Sequence, residues 1–126
     1  MMFLFDTNIF LEILLSQENA SECKEILIQH SGDIAISDFS LHSIGVILFR
    51  EKREDLFEMF LSDVLPNAEL IALSIHSYAK LPELKKEYGL DFDDAYQCQI
   101  ALENGFAIVT MDNDFRRVTN VEVNFV

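Results

Sequence analysis

Short runs of apolar residues alternate with longer segments in which apolar residues recur at helical spacing. The apolar runs predict strands of a parallel sheet, because strands buried on both faces carry no polar face. The last run differs, since Val121, Val123 and Phe125 alternate with other residues as in an edge strand. The predicted strands are Met1–Phe5, Ile34–Ile36, Glu69–Leu73, Phe106–Thr110 and Val121–Val126.

The segments between these runs predict helices. Glu54–Leu65 shows the pattern most clearly, since its apolar residues gather on one side and Pro66 follows it. The other predicted helices are Ile9–Leu15, Ala20–His30, Leu41–Arg50, a helix that Ser74 caps and that ends near Tyr88, and a last helix closed by Asn104-Gly105. Strands separated by helices predict an α/β fold with a mainly parallel sheet. No linker divides the chain, so we expect a single domain over residues 1–126.

One predicted helix departs from the usual pattern. Leu41–Phe49 has almost no polar face, which indicates either a centrally buried helix or half of a subunit interface. Gly45 within it disfavours the helix by about 1 kcal/mol relative to Ala. We therefore expect another element to pack closely against Gly45.

Acidic residues follow the ends of predicted strands. Asp6 comes directly after the first strand, and Asp112 and Asp114 come just after Thr110. Ligands of parallel α/β sheets gather at the carboxyl ends of the strands, so these acids are expected to meet there. Asp94, near the start of the last helix, is expected to join them.

Carboxylates are the oxygen ligands that Mg²⁺ and Mn²⁺ prefer, so the proposed ligands are Asp6, Asp94 and Asp112, with Asp114 as a fourth. A structural alternative exists for each position. Asp6 has the residue type of a helix N-cap, Asp94 suits the positive end of a helix dipole, and Asp112-Asn113-Asp114 is a natural turn. The acids at these positions, taken together, indicate a metal site more specifically than any one of them does alone.

The chain is strongly acidic, with 9 Lys and Arg against 22 Asp and Glu and a net charge of −13. This balance disfavours generic nucleic-acid binding, because phosphate contacts need Lys and Arg. A bound divalent cation would neutralise part of the acidic cluster, so the net charge overstates the repulsion at such a site. Among the basic residues, Arg116 and Arg117 directly follow the acids and are candidates for holding substrate phosphates.

The remaining composition indicates an intracellular protein. Cys23 and Cys98 lie in predicted helices without zinc-ligand spacing, so we expect buried free thiols in a reducing cytoplasm. No signal peptide is recognisable, and no stretch approaches the roughly 18 apolar residues of a membrane span. We expect a cytoplasmic protein without membrane association. The histidines are dispersed and are not expected to bind metal.

At its acidic motifs the sequence resembles the PIN-domain family, which includes the toxin-type, VapC-like ribonucleases of toxin–antitoxin pairs. The matching segments run in the family's order over essentially the whole chain. They are Phe5–Phe10 with Asp-Thr-Asn, Ile36-Ser37 before an apolar helix, Asp94-Ala95 with Ala101, and Ile108–Phe115 with Thr-x-Asp-x-Asp-Phe.

The resemblance implies a three-layer α/β/α sandwich and hydrolysis of RNA by a water activated with Mg²⁺ or Mn²⁺. It also implies a homodimer and an antitoxin-like partner protein. Asp6, Asp94 and Asp112 would carry over as metal ligands, and Asp114 as an accessory acid.

The chain departs from the family pattern at one position. The family usually has a Glu about six residues after the Ser of its second segment, and Ser43 stands there instead. Asp91 or Asp93 are candidate substitute ligands. Two functional hypotheses follow, a metal-dependent endoribonuclease or a PIN-like domain of weakened or lost activity that serves as a binding partner. A metal-dependent phosphatase of another α/β fold is a third.

Overall fold

The predicted apolar runs form a five-stranded sheet in the computed structural model, which describes residues 1–126. The order across the sheet is β3-β2-β1-β4-β5, and every neighbouring pair is parallel. The first strand is therefore central, and the last is an edge strand as predicted. The strands are β1 (Phe3–Phe5), β2 (Ile34–Ser37), β3 (Ala68–Ile71), β4 (Ala107–Thr110) and β5 (Val123–Phe125).

Six helices connect the strands. They are α1 (Thr7–Leu14), α2 (Ala20–Gln29), α3 (Asp38–Arg50), α4 (Glu54–Asp63), α5 (Leu81–Tyr88) and α6 (Phe92–Asn104). Short 3₁₀ helices occur at Leu65–Asn67, Ile75–Lys80 and Asn113–Arg117. No helix combines the length and the apolar character that crossing a bilayer requires.

The core lies on both faces of the sheet, because successive strand residues point to opposite faces. Phe5 and Val109 pack with α1 to α4 on one face, whereas Leu4 and Ile108 pack with α5 and α6 on the other. The protein is thus a three-layer α/β/α sandwich, as expected. Cys23 and Cys98 are buried free thiols, also as expected.

The segment predicted as one helix from Ser74 to Tyr88 is two elements. A 3₁₀ helix spans Ile75–Lys80, and α5 begins only at Leu81. Pro82 explains the division, because its ring has no N–H and would clash with the preceding turn of a continuous α-helix. The single-helix prediction was wrong because it overlooked this proline.

Other element boundaries shift by a few residues. β1 begins at Phe3 rather than Met1, and α4 gives way to a 3₁₀ turn after Asp63. α3 begins at Asp38 rather than Leu41, because the Ser37 hydroxyl caps it by accepting the N–H of Ser40 at 3.0 Å. The longer α3 brings its first turn to the carboxyl edge of the sheet.

The apolar helix α3 is not centrally buried. Ile44 and Leu48 are fully buried, but Val46 is 42% exposed and Phe49 is 57% exposed. Of the two alternatives that the sequence left open, central burial is therefore excluded, and an apolar surface remains along this helix. The expected close packing at Gly45 is present, since a Cβ there would lie 3.4 Å from the Phe57 ring.

Two glycine substitutions should have opposite effects on stability. Gly45→Ala should raise the free energy of unfolding by about 0.5–1 kcal/mol, because Ala favours a helix and its methyl meets Phe57 at contact distance. Gly89→Ala should lower it by about 1–2 kcal/mol, because Gly89 has φ +68° and a Cβ would lie 2.9 Å from Arg117. Urea denaturation measures both, and a shift of the same sign in both variants would contradict this account.

Candidate metal centre

The ends of the two central strands place two acids at the same edge of the sheet. β1 and β4 are parallel neighbours, and the Asp6 N–H donates to the Val109 carbonyl at 2.9 Å just beyond β1. Asp112 follows β4 by two residues. The predicted meeting of Asp6 and Asp112 therefore results from strand pairing.

Asp6 has a structural role as well as a place in the site. Its Oδ1 accepts the N–H of Thr7 at 2.9 Å, so it caps α1 as the alternative interpretation proposed. Its Oδ2 accepts the Thr110 hydroxyl at 2.8 Å. Burial raises the pKa of Asp6, and hydrogen bonds from Thr110, Thr7 and Gln97 oppose that rise.

Asp94 is the most perturbed acid of the site. Asp91 caps α6 by accepting the Asp94 N–H at 3.0 Å, so neither Asp93 nor Asp94 serves as the cap. Asp94 itself is buried, and its Oδ2 has no hydrogen-bond partner. Burial raises the pKa of Asp94 to about 8, and the charge of Asp112 adds to the effect. Such a carboxyl group is either protonated or balanced by a cation.

The carboxylates of Asp94, Asp112 and Asp114 converge. One oxygen from each lies within 4.8 Å of the others. Three hard oxygen donors at this spacing, one of them buried without a partner, fit a divalent cation such as Mg²⁺ or Mn²⁺. Asp6 lies outside this trio, and its oxygens are already hydrogen-bonded, but it lines one cleft together with Asp94 and Asp112.

The cleft in front of these acids has a volume of about 250 Å³. The candidate substitute ligands Asp91 and Asp93 also line it, although both side chains are exposed. Burial and the neighbouring charge of Asp91 raise the pKa of Asp93. Ser43, which stands where the family usually has Glu, is on the wall of this cleft. A longer acidic side chain at that position would therefore face the other acids.

The two candidate phosphate-binding arginines differ in their surroundings. Arg117 forms an ion pair with Asp114, with 3.4 Å between Nη2 and Oδ1. Arg116 donates to the Asn113 side chain at 2.9 Å and lies over the Phe125 ring, 4.2 Å from its centroid. Neither arginine lines the acidic cleft. Arg117 adjoins the acids through Asp114, whereas Arg116 faces the edge strand.

Sequence reasoning missed a network of polar side chains beneath the acids. The Ser40 hydroxyl accepts hydrogen bonds from Thr7 at 2.8 Å and from the Gln97 amide at 2.9 Å. The Gln97 amide also reaches Asp6 Oδ1 at 3.5 Å. The signal that could have revealed this network is the presence of polar residues, such as Ser40 and Gln97, within helices whose other buried positions are mostly apolar.

Thr110 connects the two strand-end acids. Its hydroxyl donates to Asp6 and accepts the N–H of Asp112 at 2.9 Å. Thr110→Val keeps the shape and removes the hydroxyl, so it leaves a buried acceptor and a donor unpaired. We expect a loss of about 1–3 kcal/mol in the free energy of unfolding and weaker Mn²⁺ binding. Urea denaturation and calorimetric titration measure these effects.

Thr110→Ser is the matched control, since it restores the hydroxyl and removes only a methyl group. It should recover most of the metal affinity. If Thr110→Val bound Mn²⁺ as tightly as the wild type, Thr110 would have no role in placing the acids.

Comparison with known proteins agrees with the fold. The family model for the PIN domain matches residues 3–121. No curated protein matches the chain by sequence.

Similar solved structures cover nearly the whole chain. A toxin–antitoxin complex from Klebsiella pneumoniae is 27% identical with a TM-score of 0.76, over 94% of this chain and 93% of that chain. FitAcB from Neisseria gonorrhoeae is 21% identical with a TM-score of 0.79, over 97% and 96%. VapC20 from Mycobacterium tuberculosis, described as a sarcin-ricin loop cleaving toxin, is 13% identical with a TM-score of 0.77, over 95% and 98%.

The family match extends from the first strand to just before the last strand and includes every acid of the cleft. The similar structures cover 94–97% of this chain and show the same fold. On this evidence of sequence and fold together, the chain belongs to the PIN-domain family.

Proposed function

We propose that this protein is a toxin-type endoribonuclease that depends on Mg²⁺ or Mn²⁺ and hydrolyses phosphodiester bonds of RNA. The observation that carries the proposal is the buried, unpartnered Asp94 oxygen beside Asp112 and Asp114 at the carboxyl edge of the sheet. Membership of the PIN-domain family supports it. The similarity to toxin–antitoxin complexes and to an RNA-loop-cleaving toxin supports the toxin type and the RNA substrate.

Asp94, Asp112 and Asp114 would hold the cation, and Asp6 lies beside them in the cleft. A Mg²⁺ or Mn²⁺ ion held there would supply an activated water and would stabilise negative charge on the phosphate. The protein keeps the acids in place through Thr110, which holds both Asp6 and the backbone of Asp112. Asp94 must release its proton before it can act as a ligand, because burial favours its neutral form.

The arginines after the acids are proposed to contact the substrate backbone. Arg117 is the better placed, because its ion pair with Asp114 holds the guanidinium next to the acid trio. It is about half exposed, so it can exchange that surface ion pair for a phosphate at little energetic expense. Arg116 would contact the backbone of the RNA substrate farther from the acid trio, near Phe125.

An antitoxin-like protein and a second copy of the chain remain proposed partners. The neighbours that are toxin–antitoxin complexes support the first. The exposed apolar residues of α3, Val46 and Phe49, suit a protein interface. A cytoplasmic location, where RNA is present, is part of the same proposal.

The test combines Mn²⁺ calorimetry with a cleavage assay on a mixed-sequence RNA. Wild type should bind Mn²⁺ and cleave, and Asp112→Asn should do neither while it remains folded by circular dichroism. If wild type bound no Mn²⁺ and left RNA intact, the endoribonuclease proposal would be wrong. Hydrolysis of phosphomonoesters but not of RNA would indicate a phosphatase instead.

A second candidate is a PIN-like domain of weakened or lost activity that acts through a binding partner. One specific observation favours it, namely that Ser43 occupies the cleft wall where the family usually has an acid. The net charge of −13 is consistent with it, because it opposes RNA binding outside the metal site. A stable hetero-complex, formed by a protein that binds neither Mn²⁺ nor RNA, would support this candidate.

A further inference from the structure

A group of aromatic side chains lies next to the acidic cleft, and we call it the aromatic track. It comprises Phe39, Tyr78, Phe92 and Tyr96. Phe92 is 58% exposed and Tyr78 is 39% exposed, which is unusual for side chains that could be buried in the core.

The track begins at the metal site. Phe39 lines both the acidic cleft and a second groove of about 420 Å³, whose walls include Tyr78, Phe92 and Tyr96. Tyr78 and Phe92 also border a third groove of about 330 Å³. Phe92 lies two residues before Asp94 in the first turn of α6. The aromatic surface is therefore continuous with the cleft.

The track is held in a defined arrangement. Tyr96 is buried, its hydroxyl donates to Asp38 at 2.7 Å, and it accepts the N–H of Leu73 at 3.2 Å. Phe92 lies nearly parallel to Tyr96, with 6.4 Å between ring centroids and 25° between planes. Tyr78 meets Tyr96 edge-on at 5.8 Å. A fixed ring thus supports two exposed ones.

A basic residue, Lys85, lies at the end of the aromatic track that is farther from the acids. Lys85 lines the third groove together with Phe92 and Tyr78. Aromatic rings that stack on bases, combined with a cation for the backbone, are the usual elements of single-strand binding. The track offers this combination along a path that leads from the acids.

We infer that the aromatic track binds unpaired bases of the substrate next to the bond that is cut. The inference rests on the proposed function and deepens it, because it names the side chains that would hold the bases of the substrate. Bases stack on Phe92 and Tyr78, and Lys85 contacts a phosphate of the same strand. Stacking explains how a strongly acidic chain could hold RNA with few basic residues, since the stacking contribution does not depend on charge.

The test measures binding and base dependence separately from cleavage. The full chain, in EDTA, is titrated against fluorescein-labelled single-stranded RNA and against the same RNA with abasic nucleotides. Phe92→Leu should weaken binding of the normal RNA on the order of tenfold, since stacking contributes 1–3 kcal/mol per base. Wild type should bind abasic RNA more weakly than normal RNA, and Phe92→Leu should reduce that difference, since only Tyr78 then remains to stack on a base.

Matched variants separate stacking from general surface effects. Phe92→Tyr keeps a ring and should retain wild-type binding. Ile28→Ala removes an apolar side chain that is 64% exposed on α2, outside the track, and should leave RNA binding unchanged. Tyr78→Leu should behave like Phe92→Leu.

The inference is overturned if Phe92→Leu and Tyr78→Leu bind normal and abasic RNA as wild type does. It is also overturned if wild type binds no RNA, or if these variants lose only self-association measured by light scattering, which would make the track a protein interface. The proposed function fails separately. Base-dependent binding without metal-dependent cleavage would refute the nuclease and retain the track, whereas cleavage unaffected by Phe92→Leu would refute only the track.

Discussion

Asp94→Asn is expected to abolish RNA cleavage and, in the absence of metal, to make the protein more stable. Cleavage should fall on the order of a thousandfold or more, because a metal ligand contributes several kcal/mol to the reaction. Stability should rise because the amide carries no charge, whereas the buried Asp94 carboxylate stands among other acids without a partner. The gain in the free energy of unfolding should be about 1–3 kcal/mol.

The gain should depend on pH. The pKa of Asp94 is raised from 3.8 to about 8 in the folded protein. Between these values the folded state holds a proton that the unfolded state has released, so the stability of the metal-free wild type falls as pH rises. The advantage of Asp94→Asn is therefore small near pH 4 and complete above about pH 8.

Urea denaturation in EDTA across this pH range measures the effect, and calorimetry with Mn²⁺ measures the loss of binding. Asp33→Asn is the matched control, because Asp33 is exposed and precedes β2 at the opposite edge of the sheet. Asp33→Asn should change neither the free energy of unfolding nor the affinity for Mn²⁺. An Asp94→Asn protein that was less stable than wild type at high pH would show that the carboxylate is not an uncompensated charge.

Ser43→Glu is expected to tighten Mn²⁺ binding by about 10- to 100-fold, because an added carboxylate increases the ligand charge of an oxygen site. Ser43 is half-buried on α3 and lines the cleft, so a Glu there can approach the acid trio. Cleavage should rise with metal occupancy at low Mn²⁺. Calorimetry and the RNA assay at limiting Mn²⁺ measure both effects.

The same variant should be less stable than wild type without metal, since it adds one more negative charge to an acidic cleft. Ser21→Glu, on the exposed first turn of α2, is the control for the change in net charge. It should leave Mn²⁺ binding unaltered. If Ser43→Glu bound Mn²⁺ no more tightly than wild type, the departure from the family pattern at Ser43 would not limit the site.

Asp94→Asn and Ser43→Glu both concern one property of the cleft, its excess of negative charge. The cleft holds more negative charge than the fold alone would favour, and a cation can relieve the repulsion. Asp94 is the extreme case, because it is buried and one of its carboxylate oxygens has no hydrogen-bond partner. Such an arrangement is expected to lower the stability of the metal-free protein, as strained functional sites commonly do.

Much of the fold follows from local patterns. The strands and most of the helices are predicted correctly, because buried parallel strands are continuous apolar runs and amphipathic helices repeat every few residues. The errors fall where one residue overrides the pattern. Pro82 divides a predicted helix, and the Ser37 cap starts α3 earlier than its apolar residues suggest.

The acids of the site are also predictable, since each follows a strand or begins a helix. The different roles of these acids cannot be predicted from the sequence. Spacing along the chain could not separate Asp6, which is satisfied by hydrogen bonds, from Asp94, which is not. Nor could it show that Arg117 pairs with Asp114 while Arg116 lies on Phe125.

The sequence by itself determined the order of strands and helices, the family, and the set of acids at the carboxyl edge, because these depend on local pattern and on chain direction. Only the tertiary structure decided which side chains share a hydrogen bond, a cleft or a face. Thr110, Ser40 and Gln97 converge on Asp6 from separate elements, and Phe39 joins the cleft to the aromatic track across the sheet edge. Such contacts arise from packing between distant segments, which local periodicity does not encode.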